Sequence, residues 1–213
     1  MAGADQPLSA PLDAAQSDPD RRGLVLLVTG GVRSGKSAYA EAVAARRGRR
    51  GVVYLATAYA GDDEMADRIR RHQASRPADW TTWERTSQLA GIAQDGPAGD
   101  WDCLIVDCLA NLVSNVMFSQ LDQPDEGAAA DFDQIEASLI QDLTGLVEFT
   151  RGRGASLVLV SNEVGLGLVP PGRSSRYYRD ILGRVNQVLA ELADAVVLMV
   201  CGQALTIKGR PDR

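Results

Sequence analysis

The sequence predicts an α/β fold in which helices cover both faces of a mostly parallel sheet. Short continuous apolar runs, typical of strands buried on both faces, alternate along the chain with stretches of helical periodicity. A glycine-rich loop directly follows the first run, and α/β proteins bind phosphate groups at such a position. The apolar runs lie at residues 24–28, 52–55, 103–106, 157–160 and 195–200.

Three stretches between these runs show patterns that are typical of helices. Apolar residues spaced three and four apart form one stripe between residues 132 and 146, and another between residues 178 and 189. Residues 62–73 predict a further helix, because acidic side chains fill its first turn and basic ones its last turn, matching the helix dipole.

Chain length and composition favour one domain with a tail. Of the 213 residues, we expect 1–22, rich in Ala, Asp and Pro, to be a disordered tail and 23–213 to form a single nucleotide-binding domain. No apolar run is long enough to span a membrane, and the first residues lack the pattern of a secretory signal. Three cysteines with apolar neighbours indicate buried thiols in a reducing compartment, so we expect a cytoplasmic protein.

The charged residues narrow the chemistry that one chain can perform. The formal net charge is −6, which argues against a nucleic-acid binder. The 22 basic residues include only two lysines, Lys36 and Lys208, and the only histidine is His72. Chemistry that needs a histidine pair or several lysines is therefore excluded within one chain.

The glycine-rich loop after the first run fits the phosphate-loop pattern G-x-x-x-x-G-K-[ST] in full. Its glycines allow backbone N–H groups to surround phosphate oxygens, and the following helix directs its positive end towards them. We expect Lys36 to reach the β- and γ-phosphates, the Ser37 hydroxyl to bind Mg²⁺, and Arg33 to add a second cation. The loop is Gly30, Gly31, Val32, Arg33, Ser34, Gly35, Lys36 and Ser37.

An acidic residue at the end of the run 103–106 is a second candidate. Asp107 has the form of the acid that holds the metal or its water at the end of a strand neighbouring the phosphate loop. Alternatively it caps the helix that follows, and the two roles are compatible. With two lysines in the chain there is no N-K-x-D guanine-reading motif, which disfavours a Ras-like switch.

The residues around the only histidine leave two interpretations open. His72 shares one helical face with Met65 and Ile69, so it is either a packing residue or a general base or nucleophile. A neutral imidazole nitrogen can attack phosphorus and form a phosphoramidate. Arg70, Arg71 and Arg76 would then neutralise the phosphate charge.

Several segments together resemble the bifunctional adenosylcobinamide kinase / adenosylcobinamide-phosphate guanylyltransferases of cobalamin biosynthesis. The resemblance extends from about residue 24 to about residue 208 and leaves out the tail. The phosphate loop is generic, whereas the D-D-E-M helix with its histidine and the N-E-V-G-x-G-x-V-P stretch are specific. The matching segments lie at residues 28–37, 54–57, 62–65, 72, 76–80, 161–170 and 183–187.

The resemblance implies two reactions, a RecA-like sheet and a homotrimer. A nucleoside triphosphate, ATP or GTP, phosphorylates adenosylcobinamide in the presence of Mg²⁺. GMP then passes from GTP to adenosylcobinamide phosphate through a guanylylated histidine, which is His72 by position. Besides the phosphate loop, the nucleotide contacts that the family implies fall on Ala56, Thr57, Ala58, Gln73, Ala74, Ser75, Arg76, Glu84 and Asp107.

Two positions depart from the family pattern. Arg71 stands where the family has the first of two adjacent histidines, and Asp107 stands where it has a glutamate. The expected small-molecule partners are adenosylcobinamide and its phosphate. Two other functions stay open on the sequence: a single-function phosphate-loop kinase with a structural His72, and a nucleotide-dependent regulatory or assembly protein.

Overall fold

The computed structural model of the chain describes residues 23–58, 76–121 and 131–211. The expected tail and the expected helix over residues 62–73 lie outside the described residues. His72, Gln73, Ala74 and Ser75 lie outside them as well.

In the part of the chain that the structure describes, seven strands form one sheet in the order β3-β2-β4-β5-β1-β6-β7. Each neighbouring pair is parallel except β6 and β7, which are antiparallel. The α/β architecture predicted from the apolar runs is therefore confirmed. The strands are β1 (Val25–Gly30), β2 (Val52–Ala56), β3 (Thr81–Glu84), β4 (Cys103–Asp107), β5 (Ser156–Val160), β6 (Ala195–Val200) and β7 (Gln203–Lys208).

Within the described residues, five helices and one 3₁₀ turn, Leu89–Gly91, accompany the sheet. Both predicted apolar stripes lie on helices whose stripe residues are mostly buried. Asp131 caps the longest helix, since its Oδ1 accepts a hydrogen bond from the backbone N of Gln134 at 3.1 Å. The helices are α1 (Lys36–Arg47), α2 (Ile92–Asp95), α3 (Leu109–Leu121), α4 (Phe132–Gly152) and α5 (Arg173–Leu192).

The sheet is buried on both faces because successive strand side chains alternate between two apolar cores. In β1, Leu26 and Val28 pack with α1, whereas Val25 and Leu27 face the core that α3, α4 and α5 share. Helices on both faces favour apolar residues at nearly every position of a central strand. This explains why the sequence shows continuous rather than alternating apolar runs.

Strands β3 and β7 have no counterpart among the five predicted runs. They lie at the two edges of the sheet, and their side chains are largely exposed to solvent. An edge strand has only one hydrogen-bonded neighbour and needs no continuous apolar composition. A search for apolar runs therefore passes over both.

The strand order corrects one expectation about Asp107. Its strand, β4, does not neighbour the phosphate-loop strand β1, because β5 lies between them. All three strands are parallel, so their carboxyl ends still lie at one edge of the sheet.

None of the helices in the described part of the chain is long and apolar enough to cross a membrane.

The three cysteines are free thiols, but they are not all buried as expected. Cys103 is buried in β4 and Cys108 is half-buried, whereas Cys201 is exposed in the turn between β6 and β7. Burial raises the pKa of the Cys103 thiol to about 12. Burial, together with the negative charge of Asp107, raises the pKa of the Cys108 thiol to about 11.

These environments predict that the native chain has one thiol that reacts fast with Ellman's reagent at about pH 8, because the thiolate is the reactive species. We expect this thiol to be Cys201, so Cys201→Ser should remove the fast phase. The absorbance of the released thionitrobenzoate measures the number of reacting thiols. A fast phase that persists in Cys201→Ser would contradict the slow reaction expected of Cys103 and Cys108.

Candidate nucleotide-binding site

The phosphate loop connects β1 to α1 at the carboxyl edge of the sheet, and two of its glycines are required by their surroundings. Gly30 has φ +147°, and a Cβ built there would overlap the backbone oxygen of Met199. Gly35 has φ +97°, and a Cβ there would approach Cα of Gly202 to 3.3 Å. The end of β6 and the turn that follows it thus pack against the phosphate loop. Gly202 N in this turn donates to the Ser34 carbonyl at 3.0 Å.

Lys36 begins helix α1 and points its ammonium back into the loop. Its Nζ donates to the carbonyl oxygen of Gly31 at 2.6 Å, and only 8% of the residue is exposed. Burial lowers the pKa of Lys36, and the neighbouring Cys108 and Asp107 oppose this shift. A polyphosphate in the loop would supply the anionic partner that a buried ammonium needs.

The loop also contains a buried hydroxyl group, that of Ser34. Ser34 is buried, and within the described residues its Oγ has no hydrogen-bond partner. Arg33 beside it adopts a left-handed conformation with φ +56°, which is uncommon for a residue with a Cβ and is typical of functional loops. A buried, unpaired hydroxyl in a glycine-rich loop at a helix N-terminus fits an anion such as phosphate.

A cleft of about 510 Å³ opens beside the loop at the carboxyl ends of the strands. Its volume is in the range of a pocket for one small ligand. Residues from the phosphate loop, β2, β4, β5 and the start of α3 line it. They are Val32, Arg33, Ser34, Gly35, Lys36, Ser37, Ala38, Tyr54, Ala56, Ala58, Arg76, Asp107, Cys108, Asn111, Val160 and Asn162.

Tyr54 contacts two charged residues that line this cleft, Asp107 and Arg76. Its hydroxyl donates to Oδ2 of Asp107 at 2.8 Å, and the guanidinium carbon of Arg76 lies 3.5 Å from the centre of its ring. Burial raises the pKa of Tyr54, and the negative charge of Asp107 raises it further. The phenol therefore stays protonated and acts as a permanent donor that orients the carboxylate.

Ser37 and Asp107 provide the oxygen atoms that a magnesium site requires. Both residues line the cleft, one with a hydroxyl and the other with an oriented carboxylate. Mg²⁺ prefers oxygen ligands and usually takes one or two from protein, leaving the remainder to phosphate and water. The donor set of this cleft fits such an ion.

The other predicted contacts lie along the same edge of the sheet. Ala56 and Ala58 line the cleft, whereas Thr57 between them is fully buried. Thr57 Oγ1 donates to the Cys108 carbonyl at 2.7 Å and accepts from the Cys108 backbone N at 2.8 Å, so it joins the ends of β2 and β4. Glu84 ends β3 beside Ala56 and is exposed, but it is not a lining residue of the cleft.

Six of the residues that line the cleft have no role predicted from the sequence: Ala38, which directly follows the phosphate loop, and five others. These five share one property that the sequence does carry: each lies at, or within a few residues of, the carboxyl end of a predicted apolar run. In open α/β sheets ligands bind at these ends. The five residues are Tyr54, Cys108, Asn111, Val160 and Asn162.

Comparison with known proteins shows that the sequence matches one protein family. The model of the family described as cobinamide kinase / cobinamide phosphate guanyltransferase matches residues 26–207. The bifunctional adenosylcobalamin biosynthesis protein CobU of Salmonella typhimurium is 40% identical over 185 residues, which is 87% of this chain and 100% of that protein. The bifunctional adenosylcobalamin biosynthesis protein CobP of Pseudomonas aeruginosa is 41% identical over 186 residues, which is 87% of this chain and 98% of that protein.

Among solved structures, the flagellar accessory protein FlaH from Methanocaldococcus jannaschii aligns with a TM-score of 0.48 and 13% sequence identity. The alignment covers 89% of this chain and 80% of that chain.

Proposed function

The chain belongs to the cobinamide kinase / cobinamide phosphate guanyltransferase family, and we propose that it performs two consecutive reactions of cobalamin biosynthesis. In the first, ATP or GTP phosphorylates the aminopropanol hydroxyl of adenosylcobinamide. In the second, GMP passes from GTP to adenosylcobinamide phosphate, which gives adenosylcobinamide-GDP and pyrophosphate. The observation that carries the proposal is the family match over residues 26–207, which includes the complete phosphate loop.

In the kinase reaction the phosphate loop binds the donor and Lys36 acts on the group that is transferred. The substrate hydroxyl attacks the γ-phosphorus and releases its proton to water, a P–O bond forms to the substrate, and the bond from the γ-phosphorus to the β–γ bridging oxygen breaks. The nucleoside diphosphate leaves with the electron pair of that bond. Lys36 and Arg33 stabilise the negative charge on the phosphate oxygens during this transfer.

Ser37 and Asp107 would hold Mg²⁺ in this proposal. When bound, the ion supplies positive charge that offsets the charge of the triphosphate oxygens. Tyr54 keeps the Asp107 carboxylate oriented through its hydrogen bond, and Arg76 stacked on Tyr54 adds a cation to the same wall.

In the guanylyltransferase reaction we assign His72 as the nucleophile. An imidazole nitrogen attacks the α-phosphorus of GTP, a P–N bond forms, and pyrophosphate leaves as the α–β bridging P–O bond breaks. A phosphate oxygen of adenosylcobinamide phosphate then attacks the same phosphorus and releases the imidazole. The support for this assignment is the family resemblance of the segment around the chain's only histidine.

We assign recognition of guanine to a carboxylate, that of Glu84 or of Asp107, because a carboxylate accepts hydrogen bonds from both N1–H and the 2-amino group of the base. The remaining proposed nucleotide contacts are Ala56, Thr57, Ala58, Gln73, Ala74, Ser75 and Arg76.

We further propose that the protein acts in the cytoplasm as a homotrimer. Sedimentation equilibrium would test that assembly, and a mass of one subunit would contradict it.

The proposed function is tested by following the fate of adenosylcobinamide. Incubation with GTP and Mg²⁺ should convert adenosylcobinamide first to its phosphate and then to adenosylcobinamide-GDP, with release of pyrophosphate. Liquid chromatography with mass detection separates the three corrinoids. Accumulation of the phosphate without pyrophosphate would instead identify a single-function kinase in which His72 is structural.

Tyr54→Phe removes one hydrogen bond and keeps the ring that stacks on Arg76. We expect the Mg²⁺ concentration needed for half-maximal kinase activity to rise and turnover to fall by roughly three- to tenfold, because Asp107 loses an orienting donor. Initial rates over a Mg²⁺ titration measure both effects. Tyr177→Phe is the matched control, since Tyr177 stacks on Phe132 away from the cleft, and it should behave as wild type.

A further inference from the structure

The connection from β5 to α5 displays apolar side chains to solvent. We call residues 162–171 of this connection the apolar loop. Within it, Leu166 is 89% exposed, Leu168 is 97% exposed and Val169 is also exposed. A contiguous exposed apolar surface on a soluble domain marks a binding site more often than a single exposed leucine does.

Charged side chains brace the apolar loop from behind. Arg179 of α5 donates to the carbonyl of Gly165 at 2.8 Å and to those of Gly167 and Leu168 at 3.3 and 3.2 Å. The Glu163 carboxylate accepts from the backbone N of Gly165 at 2.6 Å and of Leu166 at 3.2 Å. The leucines therefore project from a fixed backbone, which lowers the entropic cost of binding a ligand on them.

A second groove, of about 370 Å³, lies between the apolar loop and α5. Its wall carries carboxylate, guanidinium and amide groups, which can pair with both the N–H and the C=O of an amide. The side chains that provide these groups are Asp180, Arg184 and Gln187, whereas Glu163, Arg179 and Asn186 of the same wall bond to the loop itself or to residues at its start.

The apolar loop begins at the nucleotide cleft, so the two surfaces are continuous. Asn162 lines the cleft and the next residue, Glu163, lines the groove. Glu163 N donates to the carbonyl of Gly30 at 3.0 Å, which ties the start of the loop to the phosphate loop. Asn186 fixes this junction, because it accepts from Ser161 Oγ at 2.5 Å and donates to the Asn162 carbonyl at 3.0 Å.

A large acceptor substrate must lie outside the cleft. The cleft has the size of a pocket for one small ligand, and its wall is that of a polyphosphate site. A corrinoid is a broad macrocycle with apolar ring surfaces and amide side chains around its rim. The surface that adjoins the phosphate loop offers the complementary chemistry, with exposed leucines beside a groove of amide and charged groups.

We propose that the apolar loop and the groove beside it bind the corrinoid acceptor. The ring rests on Leu166 and Leu168, amides of the rim pair with side chains of the groove, and the aminopropanol arm extends past Asn162 towards the γ-phosphate. The proposal rests on the proposed function, since that function supplies the corrinoid.

The test compares two double variants that each replace a pair of exposed apolar residues. Leu166→Ser/Leu168→Ser is expected to raise the KM for adenosylcobinamide roughly tenfold or more, through loss of apolar contact with the substrate. Labelling of the enzyme by α-labelled GTP, which needs no corrinoid, should stay within about twofold of wild type, because the nucleotide cleft is untouched. Leu205→Ser/Ile207→Ser on edge strand β7 is the matched control and should change neither quantity.

The single variant Leu168→Ser provides the same test without any risk to the core, since that side chain is almost fully exposed. An unchanged KM in both loop variants would overturn the proposal. A loss of subunit assembly in these variants, measured by sedimentation velocity, would also overturn it and identify the loop as a contact between copies of the chain. If the wild-type chain itself fails to phosphorylate adenosylcobinamide, the proposed function falls, and this proposal falls with it.

Discussion

Lys36→Met should lower both the kinase and the guanylyltransferase rates by on the order of a thousandfold, because the triphosphate loses its buried cation. The side chain lies inside the phosphate loop, 2.6 Å from the Gly31 carbonyl, where no other lysine can replace it. Initial rates with saturating GTP and Mg²⁺ measure the loss. Isothermal titration with GTP should show a parallel weakening of nucleotide binding.

The chain offers its own control for this change. Lys208 is the other lysine, and its Nζ donates to the carbonyls of Ala190 and Glu191 at the end of α5. Lys208→Met should keep both activities within about twofold of wild type, as expected for a substitution away from the site. Equal losses in the two variants would mean that the effect of Lys36→Met is not local to the phosphate loop.

The ligand-free Lys36→Met chain should melt no lower than wild type at neutral pH. Burial lowers the pKa of Lys36, so the folded chain holds this ammonium less favourably than the unfolded chain does. That penalty is present in full below the folded-state pKa and is relieved as pH rises from there towards the unfolded-state value. Thermal unfolding followed by circular dichroism checks this expectation and also shows that the variant is folded.

His72→Ala should separate the two reactions. We expect pyrophosphate release and formation of adenosylcobinamide-GDP to fall to background, because no other histidine is present to form the phosphoramidate. Phosphorylation of adenosylcobinamide should stay within a few-fold of wild type, since the phosphate loop is intact. Corrinoid chromatography should then show adenosylcobinamide phosphate as the final product.

Arg71→Ala is the neighbouring control for this variant. It removes a charge from the residue before His72 and leaves the nucleophile in place. Because it weakens only the neutralisation of phosphate charge, it should slow the guanylyltransferase reaction without abolishing it. Continued formation of adenosylcobinamide-GDP by His72→Ala would exclude His72 as the nucleophile.

The central strands were predictable because they obey a strong physical constraint. Helices cover both faces of β1 and β4, so their residues are apolar up to the carboxyl ends, and the predicted runs agree with the observed strands to within two residues. The edge strands β3 and β7 lack this constraint and leave no comparable pattern. Their place in the sheet follows from pairing with distant segments.

The phosphate loop can be predicted from the sequence for a similar reason, because local geometry requires its glycines and its lysine. The role of Tyr54 cannot be predicted in this way, because it depends on the register between β2 and β4. Ala56 pairs with Asp107, and this alignment brings the hydroxyl of Tyr54 to the Asp107 carboxylate. Two residues 53 positions apart in sequence are joined only by the sheet.

Mass-spectrometric mapping of the chain after incubation with GTP and Mg²⁺ in the absence of corrinoid tests directly whether His72 carries GMP. We expect one GMP adduct, on the peptide that contains His72, labile to acid and stable to base. Addition of adenosylcobinamide phosphate should discharge the adduct and yield adenosylcobinamide-GDP. A GMP adduct on any other residue, or adenosylcobinamide-GDP formed by a chain that never carries an adduct, would contradict the assignment of His72 as the nucleophile.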